Sequence, residues 1–163
     1  MIRGIHHIAV HVHDIDRMTR FYNQAFGFSA FSEPYRWQQD RKFDAVVNLR
    51  NTAGHCCLLR SGNCYMELFE YTRPAPDSHQ AKGPQDKGYT HFCVDVVGIE
   101  GEMQRLQKLG MRFSQPQPVN MGPVKSIYGL DPEGNIIELQ ETLEPGFELE
   151  DLDPVKPKAS RAL

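Results

Sequence analysis

The stretch GIHHIAVHVHD, residues 4–14, carries four histidines (His6, His7, His11 and His13) inside eight positions. Ile8, Val10 and Val12 fall on one face and His7, Ala9 and His11 on the other. That period of two reads as a strand with one apolar side. His6 falls by the same rule on the apolar side. Asp14 stands where a helix N-cap belongs. In DIDRMTRFYNQAFGF, Ile15, Met18, Phe21, Tyr22, Ala25 and Phe26 recur at helical spacing, and Gly27 supplies the stop. Strand-like runs follow at about 28–36, 44–50, 55–60 and 64–71, with turn residues at 51–54 and 61–63 between the last three.

The opening pattern then returns. In YTHFCVDV, residues 89–96, Phe92, Val94 and Val96 share one face and His91, Cys93 and Asp95 the other. Ile99, Met103, Leu106 and Leu109 follow at helical spacing and Gly110 ends the run. Strands are expected at 111–115, 124–130 and 135–141, with Asp131-Pro132-Glu133-Gly134-Asn135 as a hairpin turn. His7 to Gly27 spans 20 residues and His91 to Gly110 spans 19. Near the end of each half a Gly-Asn turn leads into a strand with a glutamate, Glu67 or Glu138. The order βαβββ is therefore present twice. The expected organisation is one domain over 1–141, made of repeats at about 4–71 and 88–141. The proline-containing linker 72–87 joins them and a tail, 142–163, with Phe147 and Leu149, follows.

His7 and His91 hold equivalent places on the first strand of each repeat, and Glu67 and Glu138 on the last. A pseudo-twofold relation would make the four converge, with the site closed either by the two modules of one chain or by modules from two chains. Two imidazoles and two carboxylates suit Zn, Ni, Co, Mn or Fe(II) better than calcium, which takes oxygen shells. Strand-borne ligands give a rigid cage. His11 and His13 lie further along the strand, at the mouth of such a cavity. Glu70 points the other way and reads as solvent-exposed, and His55 and His79 read as surface residues. Tyr65, Phe69 and Tyr71 share the face of Glu67, where they either wall the cavity or fill the sheet. The segment 116–123 is either a loop over the site or a plain connector.

The pieces IHHIAVHVHDIDRMTRFYNQAFGF, CYMELFEY, YTHFCVDV and GLDPEGNIIEL resemble the vicinal oxygen chelate superfamily, over about residues 4–141. Its members include glyoxalase I, methylmalonyl-CoA epimerase, extradiol dioxygenases and fosfomycin- and bleomycin-resistance proteins. The resemblance implies an α+β fold in which two βαβββ modules form an open, curved eight-stranded mixed sheet around a metal-binding cavity. It maps the metal ligands onto His7, Glu67, His91 and Glu138. Glyoxalases use His/Glu/His/Glu and the epimerases His/Gln/His/Glu. Dioxygenases and fosfomycin enzymes use three ligands and lack a carboxylate at the Glu67 position. Glu67 therefore tilts the expectation toward an isomerase or lyase. Such an enzyme removes a proton next to a carbonyl through a metal-stabilised enolate or enediolate, with Glu67 and Glu138 as candidate bases. The alternatives are an Fe(II) extradiol dioxygenase using His7, His91 and Glu138, and a drug- or metabolite-binding protein without turnover.

The resemblance also implies a small substrate with two vicinal oxygens and a homodimer. A net charge of −3, with no Lys/Arg-rich run, argues against nucleic acid. No apolar run approaches the ~20 residues of a membrane span, and MIRGIHHI has no signal-peptide core. A cytoplasmic protein is expected. Cys56, Cys57, Cys64 and Cys93 form no C-x-x-C motif and read as reduced thiols.

Overall fold

The computed structural model describes residues 5–75 and 83–146. His79, Phe147 and Leu149 lie outside them. The first strand, β1 (His7–His11), runs parallel to β5 (Cys64–Arg73), which pairs antiparallel with β4 (Ala53–Ser61). Two short pieces, β2 (Ser29–Ala30) and β3 (Tyr35–Gln38), both pair antiparallel with β4 along its free edge. The second half repeats the plan. β6 (His91–Asp95) runs parallel to β10 (Ile136–Thr142), β10 pairs with β9 (Val124–Leu130), and β7 (Arg112–Phe113) and β8 (Val119–Asn120) share the edge of β9. The result is the expected α+β pair of βαβββ modules, as two open mixed sheets. Each edge strand is broken in two, so five segments stand in each sheet where four strands were expected. In the first module Pro34, which has no N–H to offer a ladder, falls inside the break.

The strand expected at 44–50 is instead part of a helix, α2 (Arg41–Val47). Asp40 decides this locally. Its carboxylate accepts from the backbone N–H of Lys42 and Phe43, which satisfies two of the orphan donors of the first turn. Asn48, in the left-handed region at φ 54°, ends the helix. Residues 53 and 54, expected in a turn, begin β4. Gly54 is required there: a Cβ would sit 2.3 Å from the Glu70 carbonyl oxygen and 2.9 Å from the Trp37 ring.

The helix α1 (Ile15–Phe26) buries Ile15, Met18, Phe21, Tyr22 and Ala25, and α3 (Ile99–Lys108) buries Ile99, Met103 and Leu106. Together with Leu59, Met66 and Leu68 of one sheet and Ile127, Ile137 and Leu139 of the other they form a single core. Each helix is seated by a glutamate of its own sheet. Glu70 accepts from the Ile15 N–H at 2.9 Å, and Glu141 accepts from Gly98 and Ile99. A carboxylate at a helix N-terminus meets both unpaired N–H groups and the positive end of the dipole. Glu70 is thus not a solvated residue, as its position suggested. The motif is doubled: Glu67 and Glu70 recur as Glu138 and Glu141, three residues apart each time and so on opposite faces of their strands.

The modules are tied through this helix side. Arg105 of α3 donates to the carbonyls of Gln24 and Ala25 in the last turn of α1, which has no basic residue of its own. Glu133 accepts from the backbone N–H of His13 and Asp14. The Tyr22 hydroxyl donates to Asp131 Oδ2 at 2.8 Å, with both residues 0% exposed. Asp131 also accepts from the N–H groups of Glu133 and Asn135 and from the Asn135 amide, which folds the DPEGN turn. Burial, and then the Asp131 carboxylate, holds the Tyr22 phenol well above its usual range. Tyr22→Phe strips a donor from a buried carboxylate. It should lower unfolding stability by about 1–3 kcal/mol in urea titrations, shifting the midpoint without changing the slope.

Candidate metal centre

Register brings each histidine to its glutamate. In the parallel pair β1–β5, His7 stands opposite Tyr65 and Ala9 opposite Glu67, so His7 and Glu67 share a face one step apart. In β6–β10, His91 stands opposite Ile136 and Cys93 opposite Glu138. The His7 Nε2 lies 3.3 Å from Glu67 Oε2, and the His91 Nε2 lies 3.1 Å from Glu138 Oε2. Each imidazole is held from behind in the same way. Nδ1 of His7 meets His6 Nδ1 at 3.0 Å, and Nδ1 of His91 meets the Thr90 hydroxyl at 2.9 Å. A ring held through Nδ1 presents Nε2 to a cation, the arrangement metal-binding histidines commonly show.

The surroundings of the two pairs differ. Glu138 also takes the Ser126 hydroxyl, and the Tyr128 hydroxyl reaches His91 Nε2 at 3.3 Å. Cys93, two residues along β6 from His91 and opposite Glu138, hydrogen-bonds to Glu138. Desolvation and that carboxylate push its thiol up to about 12, so it serves as a donor and not as a nucleophile. The Glu67 side chain is more open, 28% exposed against 17% for Glu138. Leu58 stands opposite Glu67 where Tyr128 stands opposite Glu138.

The four residues do not gather within one chain. Among the described residues no three of His, Cys, Asp and Glu come close enough to hold a metal ion. Within the chain they stand as two separate pairs, His7–Glu67 and His91–Glu138. The reason is the packing just described: the modules join through their helix-bearing sides, and both His–Glu pairs lie on the opposite faces. The donor set fits a divalent ion in kind, two imidazoles and two carboxylates, and each pair is half of it.

Other residues part from their sequence expectations. His6 precedes β1, escapes its alternation and stacks on Tyr65 with centroids 4.9 Å apart and planes at 9°. His55 packs on Glu70 at 3.4 Å and is only 16% exposed, so it is no plain surface residue. His11 meets Tyr71 edge-on at 5.7 Å, and burial, with His13 beside it, lowers its pKa. In the segment 116–123, Val119 and Asn120 pair with β9 and Met121 is exposed. Sequence reasoning passed over Thr90, Ser126, Tyr128, Trp37 and Phe43. Trp37 and Phe43 had a signal: a lone tryptophan alternating with Tyr35, and a phenylalanine three residues after an N-capping Asp40.

Trp37, Phe43, Phe69 and Tyr71 form an aromatic group on the Glu67 face. Trp37 lies 4.4 Å from Phe43, 5.3 Å from Tyr71 and 6.2 Å from Phe69, centroid to centroid. The indole is clamped. Its N–H donates to Thr52 Oγ1 at 2.9 Å, and that hydroxyl donates to Asp44, which also accepts from the N–H groups of Asn51 and Thr52.

A family model described as the Glyoxalase/Bleomycin resistance protein/Dioxygenase superfamily matches residues 4–139. The uncharacterised protein YwkD of Bacillus subtilis (strain 168) is 26% identical over 145 residues, 86% of this chain and 98% of its own. A glyoxalase family protein from Bacillus cereus superposes with a TM-score of 0.78 at 18% identity, covering 88% of this chain and 97% of that one. The fosfomycin resistance protein FosX of Listeria monocytogenes superposes at 0.60 with 21% identity, covering 88% and 96%, and has also been crystallised with Mn(II) and sulfate. These likenesses of structure share the fold.

The Thr52 hydrogen bond, with those of the backbone, holds Asp44 below its ordinary value. Its contribution to stability is therefore present above the unfolded-state pKa of about 3.9 and is lost as pH falls through the lower folded value. Asp44→Asn should melt earlier than the parent at pH 7, with Trp37 emission as the probe. The gap in Tm should close as the pH is taken below about 4.

Proposed function

Because the chain belongs to the glyoxalase/bleomycin resistance protein/dioxygenase superfamily, we propose that it is a divalent-metal-dependent isomerase or lyase. It works as a homodimer whose sites lie between chains. His7 and Glu67 of one protomer and His91 and Glu138 of the other would hold the ion, Zn, Ni, Co or Mn. The observation that carries this reading is the pair of matching half-sites, each with Nε2 aimed at its carboxylate and Nδ1 held from behind. Neither half is a complete ligand set, and a twofold partner supplies the missing half to both sites at once. A metal-using superfamily agrees with it, as does the Mn(II) complex of the neighbour FosX.

A bound divalent ion supplies Lewis acidity, which stabilises charge on two vicinal substrate oxygens as a proton leaves the adjacent carbon. The chain's own residues do the rest. Glu138, fixed by Ser126, Cys93 and His91, is the tethered carboxylate and stays a ligand. Glu67, more open and facing Leu58, is the one with freedom to take the proton and return it to the same or a neighbouring carbon. No helix among the described residues is long and apolar enough to cross a membrane, and all four cysteines are free. The reduced thiols suit the cytoplasm.

The test is complementation. His7→Ala and His91→Ala homodimers should each lose tight metal binding, by more than the about 10–100-fold that loss of an outer partner costs. Co-refolded in equal amounts, they should recover about a quarter of the parental metal per chain, because half the dimers are mixed and each mixed dimer rebuilds one intact site. Recovery of none would place the site within single chains. Full metal retention by both single variants would sink the ligand assignment. Glu67→Gln should keep metal but abolish turnover in a screen of oxoacids, acyl-CoAs, hemithioacetals and fosfomycin. Iron that survives loss of Glu67, with oxygen uptake on catechols, would move the assignment to a dioxygenase.

A further inference from the structure

The two modules share a plan but not a lining. Glu67 and Glu70 recur at Glu138 and Glu141, yet at the same offset Phe69 becomes Gln140 and Tyr71 becomes Thr142. All four of these positions lie on the face that bears the His–Glu pair. The second module shows that such a sheet folds with polar residues there, so the aromatics of the first are not a requirement of the fold. The first module also carries α2 between β3 and β4, where the second has only the turn 121–123 between β8 and β9. Phe43 of α2 covers Trp37, which is 5% exposed, and the two back Phe69 and Tyr71. Phe69 and Tyr71 themselves remain half-buried, their rings 6.0 Å apart and 27° from parallel. Phe69 stands two residues along β5 from Glu67, about 7 Å away.

We propose that this wall selects substrates in which an aromatic ring is attached next to the two chelating oxygens: aryl-bearing 2-oxo or 2-hydroxy acids and their derivatives. The proposal rests on the metal-centred function above, since the oxygens engage the ion and the ring lies on Phe69 and Tyr71. Offset or edge-on contact with two held rings rewards a planar apolar group. The buried Trp37–Thr52 hydrogen bond, backed by the part-buried Thr52–Asp44 bond, keeps the indole behind those rings in place before the ligand arrives. A small aliphatic chelator would leave the wall exposed and gain nothing from it.

The probe is a matched pair of bidentate oxygen chelators, benzohydroxamate and acetohydroxamate, titrated calorimetrically into the zinc-loaded full-length protein. Benzohydroxamate should bind about tenfold tighter or more, the scale set by filling an apolar subsite. Phe69→Ala and Tyr71→Ala should cut that preference below about threefold while leaving acetohydroxamate binding unchanged. Phe69→Leu, which keeps the volume and removes the ring, replaces Phe69→Ala if the latter fails to fold. Equal binding of the two chelators, or a preference that survives these substitutions, overturns the wall and leaves the metal site standing. If none of zinc, nickel, cobalt and manganese loads, the functional reading fails on its own. The wall is then judged in the metal-free protein by saturation-transfer NMR. Phenyl-proton contacts that Phe69→Leu abolishes support it, and their absence overturns it.

Discussion

The parallel pairing of the first strand of each module with its last is the constraint on which the rest depends. In β1–β5 and β6–β10 the register sets a histidine one step from a glutamate on the same face. Side chains alternate with a period of two, so the residues between them must point into the helix-covered core. A one-residue slip of β5 would turn Glu67 toward the core and expose Met66 and Leu68, both 0% exposed in the fold. The apolar face thereby protects the position of the polar one. The same alternation lets Glu67 face the site while Glu70, three residues on, seats the helix behind it.

How the modules meet decides what one chain can do. They share their helix sides through a common apolar core, the Tyr22–Asp131 bond and the grip of Arg105 on the end of α1. That packing turns the two His–Glu pairs outward and apart. Each pair is well defined by its own sheet, with its imidazole held from both nitrogens.

The halves are chemically unequal although the backbone plan is repeated. One is lined by Ser126, Tyr128, Cys93 and Gln140; the other by Leu58, Phe69 and Tyr71, with α2 and Trp37 behind. Duplication repeats the His–Glu pair, and divergence changes what lines it.

Much of this was legible in the residues. Period-two and helical spacing, read twice, implied the two βαβββ modules and the α+β class, and repeat equivalence matched His7 with His91 and Glu67 with Glu138, which the structure sets side by side as His7–Glu67 and His91–Glu138. The helix at 41–47 was not legible, because Ala45, Val46 and Val47 read as strand and the Asp40 cap that overrides them acts through two backbone N–H groups. The role of Glu70 was hidden for a related reason: its partner, Ile15 N–H, is 55 residues away. The sequence by itself determined which side chains share a face, since that follows from local periodicity. Only the tertiary structure decided which faces meet. That depends on how two apolar helix sides pack against each other, a long-range choice that no local pattern encodes.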